Sequence, residues 1–277
     1  MAEPSERQDP LPGIRAVLAV ASAKGGVGKS TTAVNLAVGL GLRGKRVAIL
    51  DADVYGPSLP RLLGLRGQPE TQRDGKLKPM TAHGVGCMSI GFLVEEATPM
   101  IWRGAMVMGA IENLIRDVAW GDLDVLVLDL PPGTGDAQLS ITQRIPLTGA
   151  VIVSTPQDIA LIDTRKGIAM FEKVNVPILG LIENMSTFVC PSCGGRSDIF
   201  SHGGAREAAA ELGIECLGEI PLHLSIREAS DAGTPIVLGA PESAEAAAYG
   251  KIVDRLIEKL DAALGDAARK APPIVVQ

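Results

Sequence analysis

"AKGGVGKST" at residues 23–31 decides the fold. It follows a short apolar run, "AVLAVASA" (16–23), and opens "STTAVNLAVGLGLRG", whose apolar spacing is helical. Strand, glycine-rich loop and helix, in that order, are the context a phosphate-binding loop requires. Gly25, Gly26 and Gly28 let backbone N–H groups turn inward around phosphate oxygens, and the helix beginning near Ser30 points its positive end at the same charge. Lys29 is placed to neutralise β- and γ-phosphates and Ser30 to offer a hydroxyl to Mg²⁺, with Val27 and Thr31 completing the loop. The common pattern G-x-x-x-x-G-K-[ST] fails, because position 23 is Ala. The variant K-G-G-x-G-K-[ST] stands instead, with a second lysine, Lys24, at its start.

Outward from the loop, the chain repeats strand, turn and helix. "RVAILDAD" (46–53), "DVLVLDLPP" (124–132), "GAVIVSTP" (149–156) and "VPILGLIENM" (176–185) are apolar nearly throughout, as strands buried on both faces of a parallel sheet are. Amphipathic stretches at 158–173 and 204–212 lie between them, and a last helix over roughly 242–264 carries Ile252, Val253, Leu256, Ile257 and Leu260 on one face. This alternation predicts an α/β fold: a doubly wound, mostly parallel sheet with helices on both faces and ligands at the carboxyl ends of the strands. "GVGCMSIGFL" (84–93) has no helix before it and is expected to form an antiparallel edge or hairpin with 76–81. One domain is expected over 14–264, after a disordered lead-in at 1–13 and before a tail at 265–277.

Two strand ends carry the carboxylates such a site needs. Asp51 and Asp53 close the second strand, and Asp53 is the candidate for orienting the attacking water or a Mg²⁺-bound water. Asp129 ends "VLVLD" and is the candidate Mg²⁺-side carboxylate. Gly133 and Gly135 then form a loop able to sense a γ-phosphate. A single aspartate at a strand end is ordinarily a turn or cap residue; two beside a phosphate loop favour the functional reading.

Composition narrows the classes. The net charge of −6, with two Trp, two Tyr and four Phe, gives neither the basic footprint nor the stacking platforms of a nucleic-acid binder. No run approaches the ~18–20 apolar residues that span a bilayer, so no membrane partner is expected. "MAEPSERQDPLPG" has no apolar centre of a secretory signal and is too acidic for a typical presequence, which predicts a cytoplasmic protein whose four cysteines are thiols or metal ligands.

"KGGVGKST", "DADVYGPS", "DLPPGTGD", "ENMS", "CPSCG" and "IPLH…REASDAGTP" together resemble the Mrp/ApbC family of iron–sulfur cluster carrier ATPases, in the family's order from about residue 14 to about 260. That family stands in the deviant Walker A group with MinD, ParA and the nitrogenase iron protein. The resemblance implies a slow, switch-like ATP hydrolase acting as a homodimer that sandwiches ATP and Mg²⁺, with Lys24 reaching the partner's nucleotide. It implies that Asn184 and the segment around Pro221 lie near the adenine base. It also implies transfer of a cluster from an assembly scaffold to recipient apoproteins. Two departures stand out: only a short segment precedes the first strand, where many bacterial members carry an extra domain, and Ala105 replaces the usual Pro after "WRG".

The remaining motif is "FVCPSCGG" (188–195), an insertion near 188–196. Alone, C-P-x-C-G most often marks a zinc knuckle, half of a four-thiolate site. A thioredoxin-type pair fits less well, since no helix pattern begins at Cys190. The other two cysteines, Cys87 and Cys216, lie in apolar runs and read as small core residues. A two-fold dimer supplies four thiolates by joining Cys190 and Cys193 of each subunit; the cluster so held, with 4Fe–4S favoured and 2Fe–2S also accommodated, is exposed and releasable. The alternatives are a structural zinc at the same pair, for which His202 is a lesser third-ligand candidate, and a ParA- or MinD-like positioning ATPase. The latter predicts a basic amphipathic terminal helix, whereas 244–270 carries five Lys/Arg and five Asp/Glu. His83 and His223 read as satisfied polar residues.

Overall fold

The computed structural model describes residues 11–93, 104–190 and 192–270. In chain order the elements are β1 (Ile14–Ala21), α1 (Lys29–Leu42), β2 (Val47–Asp51), α2 (Leu59–Leu62), β3 (Met80–Ala82), β4 (Val85–Ser89), α3 (Gly104–Arg116), β5 (Leu123–Asp129) and α4 (Asp136–Arg144). There follow β6 (Gly149–Ser154), α5 (Asp158–Lys173), β7 (Ile178–Val189), β8 (Arg196–Ser197), α6 (Gly204–Glu211), β9 (Cys216–Leu222), α7 (Leu224–Asp231), α8 (Ile236–Gly239) and α9 (Ala244–Lys270).

The strands form one sheet in the order β3-β4-β2-β5-β1-β6-β7-β8, with β9 also paired to β7. All pairings are parallel except β3 with β4 and β8 with β7. β1 is central, and from Leu18 to Ala21 none of its residues is exposed, which is why it reads as an unbroken apolar run. The chain leaves β1 for β2 on one side and later crosses from β5 to β6 on the other. The crevice this creates at the strands' carboxyl ends receives the loops after β1, β2 and β5. Helices flank the sheet as expected; α1 packs with α8 and α9.

Three details depart from the sequence reading. The hairpin of 80–82 with 85–89 forms, but only β3 is the antiparallel edge; β4 pairs parallel with β2, and Cys87 is fully buried there. β7 runs on to Val189, four residues past the expected end, because its last residues pair with β8 and β9. Cys216 is only half-buried rather than a core residue. At the chain ends, Leu11 packs into the core three residues before β1, and α9 continues to Lys270, past the expected tail boundary at 264; residues 1–10 and 271–277 lie outside those described. Of the apolar face of α9, Ile252, Val253, Leu256 and Leu260 are buried and Ile257 partly so.

Candidate functional site

Gly28 is the N-cap of α1, with φ 80°, and Gly26 has φ 79°, conformations that a residue with a side chain rarely adopts. A Cβ on Gly25 or Gly26 would meet nothing within 4 Å, so the loop frames open space. At Gly28 the reverse holds: a Cβ would lie 2.2 Å from Asn184 Nδ2. That amide donates to Val27 O at 2.7 Å, fastening β7 to the loop. The Ser22 hydroxyl donates to Lys24 O at 2.9 Å, and Gly133 N–H donates to Ser22 O at 2.9 Å, which joins the 23–31 loop to the one after β5.

Lys29 points inward. Its ammonium lies 2.6 Å from Asp129 Oδ1 and donates to Ser30 Oγ at 3.2 Å, with only 6% of the lysine side chain and none of the aspartate exposed. The other oxygen, Asp129 Oδ2, is buried and bonded to no partner among the described residues. β2 and β5 lie in register, so Asp51 and Asp129 are neighbours. Asp51 Oδ2 accepts from Ser58 N–H (3.0 Å), Leu59 N–H (3.2 Å) and Ser89 Oγ (3.1 Å), and Oδ1 accepts from Asp53 N–H (3.2 Å). Its carboxyl therefore clasps the loop that leads to α2. Burial, then the Asp129 charge, push its pKa up to about 7. Asp53 is raised too, chiefly by burial, with the Lys29 charge opposing.

These residues fit a magnesium nucleotide. The open cradle over Gly25 and Gly26 has room for phosphate, Ser30 offers a hydroxyl, and the orphaned Asp129 Oδ2 is a buried acceptor suited to a Mg²⁺-bound water. Lys24 and Thr31 are half-buried on the same loop, and Val27 is buried. Asn184 pairs in register with Ile220 of β9, so Asn184 and Pro221 lie close together on adjacent strands.

The thiol pair crowns the β7–β8 hairpin, where Phe188 pairs with Ser197 and Val189 with Arg196. Cys190 N–H donates to Gly195 O (2.9 Å) and Gly194 N–H to Cys190 O (2.8 Å), with Gly194 at φ 71°, a tight knuckle rather than a helix start. Hydrogen bonds from the Ser192 and Cys193 N–H groups, then from the Cys193 side chain, hold the Cys190 thiol below its ordinary range. Cys193 is exposed, and no cysteine is in a disulfide. His202 instead stands between Glu183 and Glu219. His83 and His223 are satisfied: His83 bonds Gly233 O and His223 caps α7.

A family model described as "ParA: NUBPL iron-transfer P-loop NTPase" matches residues 13–257. The chain belongs to this family. It is 57% identical over 256 residues to the iron–sulfur cluster transfer protein NUBPL of Mus musculus, covering 92% of this chain and 80% of that one. Identity to the iron–sulfur cluster carrier protein of Escherichia coli K12 is 51%, covering 92% and 69%. Among solved structures, the nucleotide-binding protein of Archaeoglobus fulgidus in complex with ADP, with cobalt found, aligns with a TM-score of 0.71 and 43% identity over 80% of this chain and 87% of that one. No helix among the described residues is long and apolar enough to cross a membrane.

Sequence reasoning missed the bond from Asn184 to Val27 O, the Ser22 link between loops, and the Glu183–His202–Glu219 group. No spacing rule announces these, since each joins residues from separate elements.

Proposed function

We propose that the chain is an ATP-driven iron–sulfur cluster carrier. Two copies pair about a two-fold axis, loops 24–31 hold magnesium ATP, and Cys190 and Cys193 of each copy grip one 4Fe–4S cluster for delivery to apoproteins. The observation that carries this reading is the continuity of β7. Asn184 is bonded to the phosphate loop, and the same strand, after a bulge between Asn184 and Phe188, runs to Val189 and leads directly into Cys190. A nucleotide that reshapes the loop thereby acts on the strand that carries the thiols.

Within the nucleotide site, Lys29 neutralises phosphate once released from Asp129. Lys24 acts on the partner's nucleotide, Asp53 orients water, and Asn184 with Pro221 lines the base. Bound Mg²⁺ supplies charge neutralisation at the transferring phosphoryl group. Four free cysteines suit a reducing compartment such as the cytoplasm, where the thiols stay available to cargo. Hydrolysis is slow, in the manner of a switch. The relatives named as cluster transfer and carrier proteins support the cargo. The positioning-ATPase reading fares worse, because the apolar face of α9 is spent in the core and leaves no amphipathic anchor there.

Cluster transfer to an apo-acceptor by Lys29→Ala tests the coupling: transfer should fall along with ATP turnover. Unchanged transfer with turnover abolished would sink it.

A further inference from the structure

At the foot of the thiol hairpin, β7 and β9 bring two acids face to face. Glu183 pairs in register with Glu219, and their side chains are 0% and 21% exposed. Like charges directly opposite on neighbouring strands repel, the more so when one is buried. Part of that charge is met. Gly203 N–H donates to Glu183 Oε1 (3.0 Å), Ala205 N–H donates to Oε2 (2.8 Å), and the Arg206 guanidinium donates to Glu219 Oε1. Two carboxylates against one guanidinium still leave an excess negative charge, and each Glu183 oxygen keeps a free lone pair.

His202 sits in the gap. Its Nδ1 is 3.8 Å from Glu183 Oε1 and its Nε2 is 3.8 Å from Glu219 Oε2. Nδ1 is shielded from solvent and has no hydrogen-bond partner among the described residues. The backbone on either side is left-handed, Ser201 at φ 74° and Gly203 at φ 79°, an unfavourable state for Ser201 that the surrounding packing holds in place. A separation of 3.8 Å is too long for a hydrogen bond. Only one ring nitrogen can bind a given ion, so the pair that matches two ligands of one ion is Nδ1 with Glu183 Oε1: bonds of about 2.1 Å put tetrahedral ligands ~3.4 Å apart and wider pairs near ~4 Å. One atom from each of Glu183, His202 and Glu219 lies within 4.8 Å of the others.

We propose that Glu183, His202 and Glu219 form a site for one divalent transition-metal ion of the zinc class, with water completing its coordination. One imidazole nitrogen with two carboxylate oxygens suits Zn²⁺, Co²⁺ or Fe²⁺, whereas Mg²⁺ and Ca²⁺ favour all-oxygen sets. The ion ties the 198–203 segment, which returns from the hairpin, to the sheet. It is separate from the thiol site and does not depend on the carrier reading.

The test uses the full chain with Cys190→Ser and Cys193→Ser, which removes the thiol site, stripped with chelator and free of nucleotide. Titration with Co²⁺, followed by visible d–d absorption, should show about one ion per chain, displaced by Zn²⁺ but not by excess Mg²⁺. His202→Ala and Glu219→Gln, introduced separately, should each weaken binding tenfold or more; Glu183 is left intact because it also caps α6. Zn²⁺ should raise the Tm of the parent and not that of His202→Ala. Absence of saturable Co²⁺ binding, equal affinity in both variants, or an equal Zn²⁺-induced rise in Tm overturns the proposal.

Discussion

Asp129→Asn probes the buried pair on which the nucleotide site is built. Lys29 and Asp129 are 2.6 Å apart with side-chain exposures of 6% and 0%, so solvent screens them little. Breaking such a pair by neutralising one member leaves a buried, uncompensated charge, typically costing ~3–5 kcal/mol. Asp51 and Asp53 both feel the Lys29 charge, which places the cost near the lower end, about 3 kcal/mol. For a domain of this size ~1 kcal/mol shifts Tm by roughly 2–4 °C, so the loss should be on the order of 6–12 °C. Removing the Asp129 charge also removes the second cause of the raised Asp51 pKa, which should fall from about 7. Thermal and urea unfolding measure the first effect, and the ¹³C carboxyl shift of Asp51 against pH measures the second. A loss below ~1 kcal/mol, with Lys29→Met no worse, would show that the pair is not closed in solution and refute the reasoning.

Other substitutions test other links. Gly28→Ala places a side chain at φ 80° and 2.2 Å from Asn184 Nδ2, so it should abolish ATP binding in equilibrium dialysis while Gly25→Ala, in open space, weakens it less. Asp51 is an acid whose pKa is raised on folding, so the folded chain binds the extra proton between about pH 4 and pH 7. Its contribution therefore declines as pH rises through that window and is flat above it, and Asp51→Asn should remove this slope from urea midpoints. Iodoacetamide at neutral pH should label Cys190, whose thiol is held low, well before Cys87, which burial pushes up; peptide mass mapping with the reverse order would contradict this.

The fold was legible because its signals are local. The loop 23–31 lies between an apolar run and a helical one, and Asp51 and Asp129 end runs that could only be buried strands. What stayed hidden depends on distant pairing. β4 reads as an edge because no helix precedes it, yet it joins β2 in parallel. In the sequence β7 reads as ending at Met185 because polar Ser186 and Thr187 follow; the strand continues to Val189 past a kink at Met185, whose φ is 57°. The bond from Asn184 to Val27 spans 157 residues, and the carboxylates Glu183 and Glu219 meet only through strand register.

The most direct measurement of the carrier account is anaerobic purification of the full chain with iron, sulfide and zinc analysis, an absorption spectrum and mass in solution. The account predicts a brown dimer with about four irons and four sulfides per two chains, colourless after Cys190→Ser or Cys193→Ser. A colourless wild-type dimer holding about one zinc at the thiols would contradict it.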